Sequence, residues 1–138
     1  MNIRPLEPSD LENGFVETLS SISPVTLQPM DLLGIYWERQ AAWTTFVAEI
    51  DGKVVGTASL HIERKFYHNG KGVAHIEDVA VHPDHRGNGL GRALVINLEG
   101  LARRKNCYKV VLDCSEKNFG FYEKLGYRKH EQQMRKDL

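Results

Sequence analysis

Ile3-Arg4-Pro5-Leu6 alternates apolar and polar side chains with the two-residue period of a strand, and Ser9-Asp10 then offers a helix cap ahead of Leu11, Phe15, Val16 and Leu19 at helical spacing. Pro24 and Pro29 interrupt the next stretch, after which Asp31 is placed to cap a helix carrying Leu32, Leu33, Ile35, Tyr36 and Trp37. Residues 44 to 50 and 53 to 63 are rich in β-branched side chains and flank Asp51-Gly52, a strong two-residue hairpin signal. Asn69-Gly70 marks a second turn before a third strand from Val73 to Val81. Pro83 ends that strand and a glycine-rich turn follows. Leu90, Leu94, Val95, Leu98, Leu101 and Ala102 then line one face of a helix. Val110 to Leu112 reads as a short buried strand, and a helix starting over Ser115 to Asn118 carries Phe119, Tyr122 and Leu125 inward and stops at Gly126. Residues 127 to 135 are expected to close the sheet as a last strand.

This order predicts the α/β (α+β) class: a mixed, mostly antiparallel sheet flanked by helices, with one strand–turn–helix–strand crossover inside it. A ligand belongs at the switch point of that crossover, beyond the carboxyl ends of the strands. At 138 residues the chain is expected to form a single domain over 1–138. Its 18 basic residues balance 18 acidic ones, so no global field draws it to nucleic acid or anionic lipid. No secretory leader and no run of about 20 apolar residues is present, which predicts a cytoplasmic protein without membrane insertion. Cys107 and Cys114 are seven apart, a spacing that fits neither a metal site nor a redox motif, and are expected to be reduced, buried thiols. No metal is expected.

Chemistry concentrates on Arg86-Gly87-Asn88-Gly89-Leu90-Gly91-Arg92. Its glycines allow positive φ and let an anion approach the backbone without meeting a Cβ. Because the turn opens a helix, unpaired amides and the positive end of the helix dipole face the same point, and Arg86 and Arg92 add charge. The glycines alone fit an empty strand-to-helix loop as well as a diphosphate cradle. A P-loop is excluded because the turn ends Gly91-Arg92-Ala93 instead of Gly-Lys-Ser/Thr. A dinucleotide fold would carry its glycine turn on the first strand of a parallel sheet, whereas this turn follows three antiparallel strands.

Arg-x-x-Gly-x-Gly after a strand ending Val-Ala-Val resembles the acetyl-CoA diphosphate motif of the GNAT superfamily, and the order of elements is similar to that acyl-CoA N-acyltransferase fold. The runs IERK at 62–65, HIEDVAV at 75–81, CYKVVLDC at 107–114 and EKNFGFYEK at 116–124 resemble one family within it, the glucosamine 6-phosphate N-acetyltransferases. The resemblance spans about residues 3 to 136 and is strongest from 61 to 127. It implies direct transfer of an acetyl group from acetyl-CoA to the amine of glucosamine 6-phosphate, a step of UDP-GlcNAc biosynthesis.

Such a transfer needs a neutral amine, a fixed approach, oxyanion stabilisation and a proton for the departing thiolate. Cys114 has no neighbouring histidine in sequence, so an acetyl-cysteine intermediate is disfavoured. Tyr122 suits the acid role from its helix past the crossover strand, though the bland alternative is a core aromatic packed with Phe121 and Tyr127. The resemblance places the family's thiolate-binding tyrosine there. Glu77 and Asp78 are adjacent on a strand and are expected to point to opposite faces. The resemblance implies that they orient the amine and ring, with Asp113 contacting the sugar. It further implies that Val79, Ala80 and Val81 receive pantetheine and the acetyl carbonyl on their amides, and that Asn118 and Lys124 join the cofactor set. For the sugar phosphate it implies Lys65, Phe66, Tyr67, His68, Tyr108 and Lys109, with a hydroxyl from Ser23 and with Arg135 from a partner subunit of a homodimer. Two other readings remain: a GNAT enzyme with a different amine acceptor, and a noncatalytic acetyl-CoA sensor, which would have no need of Tyr122 and Asp113.

Overall fold

The computed structural model describes residues 1–138. Five strands form one sheet in sequential order: β1 (Asn2–Pro5), β2 (Trp43–Ile50), β3 (Lys53–Arg64), β4 (Gly72–Val81) and β5 (Cys107–Val111). The first three junctions are antiparallel and β4–β5 is parallel, so the mixed sheet and its single crossover match the sequence expectation. Asp51 and Gly52 both take positive φ at the β2–β3 turn, the backbone that a two-residue hairpin requires. Helices α1 (Phe15–Leu19), α2 (Pro29–Arg39), α3 (Leu90–Arg104) and α4 (Phe119–Glu123) surround the sheet. The apolar face of α3 drives its Leu94, Val95 and Leu98 onto Leu60, Ala74 and Ile76 of the central strands, and this cluster is the main core. Leu11 and Phe15 form a second, smaller core with Val47 and Val54.

Three local expectations are corrected. The helix expected from Ser9 is split into a 3-10 turn (Pro8–Glu12) and α1, because Gly14 sits at φ 94° between them. A Cβ on Gly14 would come within 2.3 Å of the Val54 carbonyl, so the break is set by close approach to the β2–β3 hairpin. Asp10 is buried under this turn. There it accepts hydrogen bonds from Arg4 at 2.7 and 2.8 Å and from the Glu7 amide at 2.8 Å. Burial pushes its carboxyl up, but the Arg4 guanidinium and the Glu7 amide outweigh that and hold it below the usual carboxylate range. On α2, Pro29 occupies the first turn and Asp31 lies inside it, so Asp31 is not the cap.

The third correction concerns the end of the chain. Residues 128–138 form no strand, and the outer edge of β5 has no strand beside it. From Arg128 to Arg135 the stretch has no β-branched residue and no Tyr, Phe or Trp, so past Tyr127 nothing in it favours a pleated, half-buried surface. A groove of about 500 Å³ runs along that open edge, lined by Cys107, Tyr108, Val110, Leu125 and Tyr127 among others. The two cysteines are free, and they are half-buried where full burial was expected. No helix is long and apolar enough to cross a membrane.

Candidate active site

Strands β4 and β5 are paired only from Gly72/Cys107 to His75/Val111. Past His75, β4 continues to Val81 alone on that side, while the chain leaving Val111 diverges toward α4. The result is a cleft whose one wall is the free edge of residues 76–81 and whose other wall is Leu112 to Tyr122. A bulge opens the first wall further: Thr57 pairs with Ala80 but Ser59 pairs with Glu77, so two β4 residues oppose Ala58. Asp78 carries the bulge at φ 55°. Strict alternation fails there, so the expectation that Glu77 and Asp78 point to opposite faces does not hold as a simple period-two argument.

The glycine-rich turn closes the carboxyl end of the cleft. Gly87 and Gly89 take φ 81° and 79°, and a Cβ on either would meet no atom within 4 Å, so both backbones face open space. Gly89 precedes α3 with no side-chain cap, leaving the first amides of a 15-residue helix pointing outward. Arg86 spends its Nε on the Val81 carbonyl at 3.0 Å, which fixes the turn against the end of β4. Gly91 lies where a Cβ would touch Phe121 at 3.4 Å and Val81 at 3.7 Å, so the start of α3, the end of β4 and α4 meet at one point. Asn88 and Arg92 are exposed around it, and Leu90 is buried as the first core residue of the helix. An extended anion fits this cradle because it lacks side chains where the backbone opens and carries amides and two arginines at its rim.

Tyr122 is buried as part of the main core, on the α4 wall that follows β5. Burial, and then the neighbouring Cys114, push its phenol above the usual value of about 10. It therefore carries its proton at neutral pH. Glu77 is likewise pushed up, first by burial and then by the charges of Asp78 and Asp113. The two neighbouring carboxylates thus act on Glu77 through their charge, an electrostatic setting that would draw a cation. Asp113 accepts a hydrogen bond at 2.8 Å from Gln133 of the C-terminal tail, a contact that the sequence did not suggest. Asn118 and Lys124, both exposed, flank α4 on the same wall. Behind Asp78 lies a second, mainly apolar cavity of about 240 Å³ between the sheet and helices α1 and α2. Arg39, unremarked in the sequence, lines it; the Arg39 guanidinium stacks 4.3 Å over Trp43 and donates to Ser59.

The expected phosphate-binding residues form a separate cluster at the opposite end of β4. His68 stacks on Tyr108 with centroids 4.1 Å apart, Lys109 lies 5.6 Å from the Tyr108 ring, and Lys65 lies 5.4 Å from that of Tyr67. Lys65 is paired with Glu63 at 2.9 Å, and Glu63 also meets His75 at 3.1 Å. Phe66 is fully exposed. From Gly72 to Glu77 is five residues, about 17 Å of extended strand. The cluster is tied back toward Glu77 through Glu63 and His75, two residues before Glu77 on β4. Arg135 is exposed and pairs with its own Asp137 at 2.7 Å, and Ser23 lies in the exposed loop between α1 and α2.

The chain matches the acetyltransferase (GNAT) family over residues 11–127. It is 46% identical to a glucosamine 6-phosphate N-acetyltransferase of Trypanosoma brucei brucei over all of this chain and 96% of that protein. It is 36% identical to the Candida albicans protein of that name, over 91% of this chain and 87% of the relative. The crystal structure of glucosamine-6-phosphate N-acetyltransferase from Arabidopsis thaliana superposes with a TM-score of 0.93 at 37% identity, over 99% of this chain and 97% of that one. A crossover pair that splays past His75, a bulge on the other edge of β4, a glycine turn opening the crossover helix, and end-to-end similarity to these proteins lead to one conclusion: the chain belongs to the acetyltransferase (GNAT) family.

Proposed function

We propose that the chain is a glucosamine 6-phosphate N-acetyltransferase, acting as one domain over residues 1–138 in the cytoplasm and supplying N-acetylglucosamine 6-phosphate toward UDP-GlcNAc. The observation that carries the reading is the splayed β4–β5 cleft, with an anion cradle at its rim and a protonated Tyr122 and clustered carboxyls along its walls. The acceptor is taken from relatives bearing that name that align over the whole chain. A bare cofactor sensor has no use for the carboxyl group around Glu77.

Acetyl-CoA, when bound, supplies the activated acetyl group. Residues 86–92 hold its diphosphate through backbone amides, and the free edge of Val79, Ala80 and Val81 receives pantetheine and the acetyl carbonyl. Asn118 and Lys124 complete the cofactor side. Glu77, Asp78 and Asp113 attract and orient the substrate amine, and the raised carboxyl of Glu77 suits it to take up, directly or through water, the proton that the amine releases. The amine nitrogen bonds to the acetyl carbon, the carbon–sulfur bond breaks, and Tyr122 gives its phenol proton to the sulfur.

Ser23, Lys65, Phe66, Tyr67, His68, Tyr108, Lys109 and Arg135 serve the sugar phosphate. Because Arg135 faces solvent and pairs with its own Asp137, we assign a homodimer in which the partner subunit's Arg135 completes each cleft. The open β5 edge and the strandless tail leave room for that exchange.

A thiol-release assay tests the reading. The protein is expected to consume acetyl-CoA with glucosamine 6-phosphate at a kcat/KM at least about tenfold above that with glucosamine, since each charge-assisted phosphate contact contributes about 1.5–3 kcal/mol. Equal or faster turnover of an unphosphorylated amine would overturn the acceptor. Activity that persists undiminished when the protein is diluted to monomer, as read by light scattering, would remove the shared site.

A further inference from the structure

Helix α4 has five residues, too few to hold its own orientation in water. Past Tyr127 the chain enters no further helix or strand. Tyr122 therefore depends on neighbours for its aim, and its ring is held from two sides. Phe121 meets it edge-on at 4.8 Å and 85°, and Phe121 in turn lies over Gly91 in the first turn of α3, where a Cβ would come within 3.4 Å of its ring. Tyr127 meets it from another side at 5.8 Å and 80°, while the Tyr127 amide donates to the Tyr122 carbonyl at 3.1 Å. The Tyr127 hydroxyl donates at 2.9 Å to Glu99 Oε1, and Glu99, on α3, keeps only 16% of its side chain exposed.

We infer that Glu99 and Tyr127 are positioning residues for the reaction: their hydrogen bond fixes the Tyr127 ring, and that ring aims the Tyr122 phenol into the cleft. With the Phe121 contact at its first turn and the Glu99 contact further along, α3 carries both the cofactor turn and the two supports of the proton donor. The spacing between diphosphate cradle and phenol is thereby set by one rigid element. The inference rests on the proposed role of Tyr122 as acid. A carboxylate and a phenol bonded across a half-buried gap cost desolvation, which a pair of apolar residues at the same places would avoid. Orientation is what the polar pair adds, and a misplacement near 1 Å at a reacting group costs up to about a hundredfold in rate.

The test is a set of variants assayed for thiol release from acetyl-CoA with glucosamine 6-phosphate, alongside melting curves. Tyr127→Phe keeps the ring and loses the hydrogen bond; kcat is expected to fall about fivefold to tenfold with the KM for acetyl-CoA within about twofold. Glu99→Ala is expected to match it, and the double variant to be no slower than either single one, because the two remove one interaction. Glu99→Gln, which still presents an oxygen acceptor, is expected to restore most of the turnover. Wild-type kcat in Tyr127→Phe, additive losses in the double variant, or no rescue by Glu99→Gln would each overturn the inference. So would a fall in melting temperature with kcat per folded enzyme unchanged, the mark of a merely structural pair. Tyr122→Phe in the same series separates the two levels. If it turns over at the wild-type rate, the acid role itself falls; if it is slow while Tyr127→Phe and Glu99→Ala are not, only the positioning inference falls.

Discussion

Tyr122→Phe is expected to lower kcat by on the order of a hundredfold while leaving the acetyl-CoA dissociation constant within about twofold, since a positioned general acid contributes roughly 10²–10⁴ in rate. Two structural facts separate chemistry from binding here. The ring is buried and held edge-on by Phe121 and Tyr127, so the phenylalanine keeps the packing. Burial and the neighbouring Cys114, with no hydrogen bond to the phenol, set its acidity, so removing the hydroxyl strands no partner. The folded state should therefore be unharmed, and the melting temperature is the control. The missing proton matters only when the sulfur leaves, which is a transition-state loss and appears in kcat and kcat/KM together. Wild-type kcat in this variant would remove Tyr122 from the chemistry and return it to the core, the bland reading that its sequence position also allows.

Local pattern carried the strands and the crossover helix further than it carried the site. The hairpin at Asp51-Gly52, the meander and the apolar face of α3 were legible because each rests on short-range turn chemistry or on a period that one element satisfies alone. The break at Gly14 was not, because its cause is the Val54 carbonyl, forty residues away in sequence. The strand expected over 127–135 failed for a related reason: the periodicity of a terminal segment says nothing about whether an edge is offered to it, and past Tyr127 this polar stretch has no residue that favours one. The cradle at 86–92 could be read as a possible anion site from glycine and helix placement. The bulge at Asp78 could not, since it shows only as a mismatch between Thr57/Ala80 and Ser59/Glu77. That bulge separates β4 from its expected alternation and leaves residues 76–81 beside an open cleft. The Glu99–Tyr127 pair was invisible for the same reason as Gly14, joining a helix face to a loop 28 residues on. In both cases a tertiary contact decides what local propensity leaves open.

Gly89→Val is expected to weaken acetyl-CoA binding by about a hundredfold, and the size of the effect divides into two measurable parts. Gly89 sits at φ 79°, where a β-branched residue is disfavoured by roughly 1–2 kcal/mol. In the free protein that conformational cost is all the variant should incur, because a Cβ there meets no atom within 4 Å, and denaturant titration reads it directly. In the complex the same open space is where the diphosphate would approach, and the first amides of α3 would be pushed off their line. Losing two charge-assisted hydrogen bonds of about 1.5 kcal/mol or more each amounts to about 3 kcal/mol, slightly over two decades of affinity. Gly89→Ala, which adds one Cβ without the branch, should fall between wild type and valine in both measurements. If the affinity loss in Gly89→Val merely equals the stability loss, the backbone is strained but nothing occupies the space. If binding stays within threefold, residues 86–92 are an ordinary strand-to-helix turn and the diphosphate lies elsewhere. A binding loss well beyond the folding loss assigns that empty space to the ligand, because the added atoms then clash only when acetyl-CoA is present.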